Sequence, residues 1–373
     1  MTQTLGEEII EWIETLRVPE GALVGQPLVL MEWQKREILR IYDNPAGTRR
    51  AIISVGRKSG KSSLCACLML AHLAGPAALP NSQLYSTAQS RDRAALLYAL
   101  AAKIIRMSPR LSDAVVRKDG IKQLVCPGKG TAYRALSAEA STAYGLSPAF
   151  VVHDELGQVR GPRSELFEAL ETAGGAQLRP LSIIISTQAT TDADLLSVLI
   201  DDALAGHDPH TVCSLHTAPA GADPFALDTI KAANPALGVF QNPDEVLQMA
   251  ASARRMPSRE AAYRNLVLNQ RIEASSPFIM PAGWQACAGA PRDLSGCDVF
   301  AGLDLSETRD LTALCLIGCD IATGTWHVQP TFWLPAEGLH DKAAHDRIPY
   351  DLWAAFCKQR LDTRSPMNSW RSI

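Results

Sequence analysis

Apolar positions along the chain change rhythm, from helical spacing to short extended runs, and the changes divide it into regions. Within the first fifty residues, Glu7–Leu16 and Glu32–Tyr42 carry apolar side chains at helical spacing, with the Pro- and Gly-containing stretch Pro19–Pro27 between them. From Arg50 short β-branched runs alternate with longer helical ones. Ala51–Val55 (AIISV) predicts a strand and Lys61–Leu73 the helix after it; Gln83–Thr87 and Arg91–Met107 repeat the pair. Ala149–His153 and Leu181–Thr187 are continuously apolar, as strands covered on both faces are. Such alternation predicts an α/β fold, a doubly wound parallel sheet with helices on both faces and ligands at the carboxyl ends of its strands.

Residues 244–272 read as helical and carry Arg254, Arg255, Arg259, Arg264 and Arg271. The stretch Ser275–Pro291 is rich in Pro, Gly and Ala and reads as a linker. Beyond it the spacing tightens to consecutive strands at Asp298–Leu303, Leu311–Gly318 and Thr325–Trp333, the start of a second domain. The division expected is residues 1–275, a linker over 276–294, and residues 295–373.

Composition narrows the choices. A chain of 373 residues suits two domains, and 47% hydrophobic with 20% charged residues is a globular balance. The N-terminus is acidic and amphipathic, unlike a secretory signal, and the apolar stretches are too short to cross a bilayer. Nine cysteines without a CxxC pair read as reduced thiols of a cytoplasmic protein. A net charge of −3 argues against a constitutive, tight duplex binder, whose domain is usually strongly basic, but does not exclude a motor that grips nucleic acid locally and releases it.

The densest chemistry is Val55-Gly56-Arg57-Lys58-Ser59-Gly60-Lys61-Ser62, between a predicted strand and a predicted helix. Glycines there let backbone N–H groups wrap the β- and γ-phosphates of a nucleotide, and the helix points its positive end at the anion. Gly56, Lys58, Ser59, Gly60, Lys61 and Ser62 are thus candidate ATP-binding residues, Lys61 neutralising phosphate and Ser62 holding Mg²⁺. The usual first glycine falls on Val55, so the motif is GxxxGKS, one residue short. Arg57 is either a solvated turn residue or an arginine finger for the γ-phosphate.

Phe150–Glu155 is an apolar strand ending in two acids. Beside a phosphate loop, Asp154 would hold Mg²⁺ and Glu155 would orient and deprotonate the attacking water; the bland alternative is helix capping. Two weaker sites are Ser186-Thr187-Gln188, ending the next apolar strand as a γ-phosphate sensor, and Trp33-Gln34, which would hold adenine by ring packing and an amide.

Taken in order, these features resemble the HK97-like branch of the terminase large-subunit family: Trp33-Gln34, GRKSGKS, Ala143–Glu155, Ser186-Thr187-Gln188, Asn234–Gly238, Tyr263–Gln270 and Ala301–Ala313. The short basic phosphate loop is itself common in that family. The resemblance implies a P-loop NTPase domain, with Ser186, Thr187 and Gln188 coupling hydrolysis to motion, followed by the start of an RNase H-like α/β nuclease. It implies ATP-driven translocation of viral double-stranded DNA into a procapsid in the host cytoplasm. The implied partners are a small terminase subunit, a portal and further copies of the chain in a ring, with no membrane. It also implies a two-metal nuclease using Mg²⁺ or Mn²⁺, with Asp304 as first ligand and Asp310 the nearest other acid. Arg347–Trp353 still resembles the family, whereas Phe356–Ile373 does not, as in a frameshifted or truncated prophage copy; little or no DNA cleavage is expected.

Other clusters stay in reserve. His207, His210 and His216 gather around Asp208 without a metal-ligand pattern, and His340 and His345 sit in a polar segment; all read as surface histidines. The arginines of 254–271 line either a DNA track or a solvated helix face. A helicase-like P-loop ATPase, or a prophage remnant that binds nucleotide without turnover, remain alternatives to the packaging motor.

Overall fold

The fold was read from a computed structural model that describes residues 3–88, 91–136, 145–272, 287, 293–305, 312–335 and 370–372. It comprises two compact units, residues 1–278 and 279–373.

The first unit opens with α1 (Leu5–Glu14) and α2 (Glu32–Tyr42). A strand–helix series follows: β1 (Arg50–Ser54), α3 (Lys61–Leu73), β2 (Gln83–Thr87), α4 (Arg91–Met107) and the short α5 (Pro109–Ala114). A meander of β3 (Val116–Lys118), β4 (Gln123–Cys126) and β5 (Thr131–Leu136) comes next. After it run β6 (Pro148–Asp154), α6 (Glu165–Ala173), β7 (Leu181–Ser186), α7 (Leu195–Ala205) and β8 (Thr211–Leu215). The unit ends with α8 (Leu227–Ala233), α9 (Pro243–Arg255) and α10 (Glu260–Leu266).

The sheet order is β3-β4-β5-β2-β6-β7-β1-β8. From β5 to β8 every pairing is parallel; β3 and β4 extend the edge antiparallel. Continuous apolar runs arise because alternate residues enter different cores. Ala51, Ile53, Phe150, Val152, Ile183 and Ile185 pack on the face bearing α1–α4. Ile52 and Ile184 join Leu196 and Ile200 of α7 on the other face, where Val151 packs with Leu170 of α6. Every residue of α3 from Leu64 to Leu73 is buried, so this helix lies fully inside its layer. A buried carboxylate fixes α2: Glu37 receives Arg40 at 3.1 Å and the hydroxyl of Ser214 on β8.

The helical reading of 244–272 divides into α9 and α10, with Pro257 at the break and an irregular segment after Leu266. The β3–β5 meander carries little apolar signal; β3 is fully exposed.

In the second unit β9 (Asp298–Asp304), β10 (Thr312–Asp320) and β11 (Thr325–Pro335) form an antiparallel meander. The short β12 (Trp370–Ser372) pairs with β11. Asp310, His340, His345, Arg347–Trp353 and most of the expected linker lie outside the described residues. Among the described residues no helix is long and apolar enough to cross a membrane.

Candidate nucleotide site

The loop after β1 turns through two left-handed residues, Lys58 (φ 65°) and Gly60 (φ 81°), the second forming the N-cap of α3. Ser59 is buried and its hydroxyl donates to the Gly56 carbonyl at 2.7 Å. Lys61 donates its ammonium to the carbonyls of Val55 (2.6 Å) and Gly56 (3.0 Å). Ser62 follows in the first turn of α3, while Arg57 and Lys58 are exposed.

The missing first glycine has a structural reason. Val55 is fully buried in the core and continues the sheet, donating its N–H to the Ser186 carbonyl at 3.2 Å. The residue that must be glycine is Gly56, whose added Cβ would stand 2.6 Å from Asn234 Oδ1 and 2.7 Å from the Val267 carbonyl. Residues beyond β8 therefore brace the loop: Arg57 N–H donates to the Leu266 carbonyl at 2.9 Å, and the Gln241 amide donates to the Arg57 carbonyl at 3.0 Å.

Asp154 ends β6, two strands from β1, and Glu155 follows in a left-handed conformation (φ 56°). A non-glycine residue there stores strain of about 1–3 kcal/mol, characteristic of functional turns. Glu155 accepts a 2.5 Å ion pair from Arg93 of α4. Burial, then the charge of Glu155, push the Asp154 carboxyl up to about 6, against the pull of Lys61. Burial draws the Lys61 ammonium down to about 8, opposed by Asp154 and Glu155 and reinforced by Arg57. The charges of Asp154 and Glu155 both reach Lys61 and act against the effect of burial, which groups the lysine with both acids at the carboxyl ends of β1 and β6.

The end of β7 is wired differently from a free sensor. Ser186 accepts the Gly157 N–H at 3.0 Å, and Thr187 is buried. Gln188 is committed to the chain's later residues: its N–H donates to Asn269 Oδ1 at 2.7 Å, its amide to the Asn269 carbonyl, and its Oε1 accepts from Arg271 at 3.0 Å. Asn269 is fully buried and also donates to Ser54 of β1 (3.0 Å) and the His216 carbonyl (2.9 Å).

Of the adenine pair, Gln34 is buried, accepts the Met31 N–H at 3.0 Å and presents its amide nitrogen toward Gly60. Trp33 faces the core, 5% exposed, with its ring edge-on to His216 at 5.4 Å. His216 is correspondingly half-buried rather than a surface residue.

The family model for the terminase large subunit ATPase domain matches residues 32–203, and that for its endonuclease domain matches residues 220–355. Over 351 residues the chain is 47% identical to the large terminase subunit of Enterobacteria phage HK97, covering 94% of this chain and 69% of that protein. The chain belongs to the terminase large-subunit family. The crystal structure of the HK97 bacteriophage large terminase is similar at 45% identity and a TM-score of 0.69, over 95% of this chain and 73% of that one. This terminase thus joins an ATPase domain to an endonuclease domain. The endonuclease match begins at residue 220, yet residues 220–272 lie in the first compact unit and include the braces of the phosphate loop.

The arginines of residues 254–271 are largely engaged. Arg271 binds Asp192 and Asp201, Arg264 binds Glu260, Arg254 reaches Asp223 and the Phe225 ring, and Arg259 donates to Ser252. His210 bonds the Gly47 carbonyl at 2.8 Å. In the second unit Asp304 ends β9 and is exposed. Among the described residues no group of three or more His, Cys, Asp or Glu side chains is placed to hold a metal ion.

Proposed function

We propose that the first unit hydrolyses Mg²⁺-ATP to drive double-stranded DNA into a procapsid, using the residues gathered at the ends of β1 and β6. The observation that carries the reading is Lys61, held at the loop's inner curve within the fields of Asp154 and Glu155. Gly56, Lys58, Ser59, Gly60 and Lys61 would cradle the phosphates, with Gln34 at the base. Mg²⁺ fits the donors present, the Ser62 hydroxyl and the Asp154 carboxylate; a hard cation favours such oxygens, and its charge offsets the raised affinity of Asp154 for a proton. Bound Mg²⁺ would neutralise charge on the transferring phosphoryl group. Glu155 orients and deprotonates the attacking water, Arg57 reaches the γ-phosphate from its exposed position, and Ser186, Thr187 and Gln188 couple the site to later residues.

The motor is assigned to residues 1–275, the linker to 276–294 and the nuclease portion to 295–373, with Asp304 the first ligand of its Mg²⁺ or Mn²⁺ pair. The partners are DNA, a small terminase subunit, a portal and further copies in a docked ring, in the host cytoplasm. An ATPase assay with and without duplex DNA tests the motor. Wild type should turn over faster with DNA, and Glu155→Gln should bind ATP without turnover. Turnover undiminished by Glu155→Gln would defeat the catalytic assignment. Any Mn²⁺-dependent cleavage should vanish in Asp304→Ala.

A further inference from the structure

We propose that Phe240 is the aromatic wall of the nucleotide site, stacking on the purine base that Gln34 reads at its edge. The inference rests on the ATP reading of the phosphate loop and adds to it a residue from a part of the chain that carries no nucleotide motif.

An adenine site needs an apolar face as well as an amide, because stacking supplies affinity and the amide supplies selection. Trp33, next to the reading amide in sequence, does not provide that face: its ring is buried and turned onto His216. Phe240 is placed to provide it. It is 43% exposed, although a phenyl ring is among the groups most strongly driven indoors. Its Cζ and Cε2 atoms lie 2.9 and 3.0 Å from the point where a Cβ on Gly60 would stand, and Gln34 Nε2 lies 3.7 Å from the same point. Ring and amide therefore converge at the N-cap of α3, one residue before Lys61.

The ring is held there by the chain on both sides of it. The N–H groups of Val239, Phe240 and Gln241 all turn back to the Ala236 carbonyl, and Gly238 makes the bend at φ 82°. Gln241 is buried and ties the turn to the loop, donating to the Arg57 carbonyl and to Asn234 Oδ1, both at 3.0 Å. Asn234 in turn donates to the carbonyls of Ile230 and Val267. Gly60 has two reasons to be glycine: its left-handed backbone, and the ring over the space a side chain would fill. A base between Phe240 and Gln34 would bridge α2 and the segment after α8. Nucleotide occupancy would then be felt directly by the segment that braces the loop.

Isothermal titration of the full chain in Mg²⁺ with ATP, ADP and inorganic tripolyphosphate separates base from phosphate recognition. Phe240→Ala should weaken ATP and ADP about tenfold or more, the scale of a lost base–aromatic stack, and leave tripolyphosphate unchanged. Phe240→Tyr should stay within about twofold of wild type, and Phe240→Leu, which keeps the bulk, should fall between. Thermal unfolding checks that each variant is folded. Unchanged ATP affinity in Phe240→Ala, or equal loss of ATP and tripolyphosphate, would overturn the proposal, the second outcome making Phe240 a mere buttress of the loop. If wild type bound neither ATP nor tripolyphosphate, the phosphate-loop reading itself would fall, and this proposal with it.

Discussion

Arg93 and Glu155 form a 2.5 Å ion pair that joins the first turn of α4 to the left-handed residue after β6. The carboxylate assigned to the attacking water is thus shared with a guanidinium on another element. In the proposed hydrolysis the attacking water must compete with the Arg93 guanidinium for that carboxylate. Both side chains are partly exposed, so the pair is worth no more than about 1 kcal/mol.

Arg93→Ala should therefore raise DNA-independent ATP turnover by up to about fivefold, with KM for ATP unchanged. Steady-state kinetics decides it. A fall in kcat would mean instead that Arg93 holds Glu155 in its working pose.

Arg57 offers a cleaner separation of binding from chemistry. Its backbone shapes the loop through Leu266 and Gln241, while its side chain is exposed. Arg57→Ala should bind ATP within a few-fold of wild type and lose about 10³-fold in kcat, the effect of removing an arginine finger. Near-normal turnover would assign Arg57 to the solvated surface.

The pH dependence follows from the opposed shifts. Asp154, pushed up to about 6, is a carboxylate only above that pH, and Lys61, drawn down to about 8, is an ammonium only below that one. Mg²⁺-ATP affinity of the free protein should peak between about pH 6 and 8 and fall on both sides. The charge of Glu155 raises both groups, so Glu155→Gln should move both limbs of the profile to lower pH. Titrations of binding across pH 5–9 would show it, and a profile that does not move would dismiss the shared site.

Asn269 concentrates the structural risk. It is buried, left-handed at φ 54°, and its side chain serves Gln188, Ser54 and the His216 carbonyl. Asn269→Ala strands those buried partners and strains the backbone, at a cost of about 3 kcal/mol. Denaturant unfolding of the ATPase unit measures this; a loss under about 1 kcal/mol would show that the network repacks.

Much of the frame was legible because local and global preferences agree. α2, α3, β2 and α4 occupy the spans their patterns predict, since burial on one or both faces leaves a direct record in residue type. The exposed β3 left no such record, and residues 244–272 read as one helical stretch because Arg and apolar spacing hide the break at Pro257. Trp33 and Gln34 are adjacent in sequence, but on a helix neighbours point about 100° apart, and only the amide faces the loop. Asn269 and Gln241 gave no chemical signal, being uncharged amides whose importance lies in what surrounds them.

By itself the sequence determined the α/β alternation, the phosphate loop and the acids that close β6, because each is a local pattern with its own physical signature. Only the tertiary structure decided how that loop is held. Val55 belongs to the sheet, Gly56 is glycine because Asn234 and Val267 crowd it, and Gln188 answers to Asn269 and Arg271. Those contacts join residues 81 to 211 positions apart in the chain, a range at which sequence spacing carries no geometry and packing alone selects the partners.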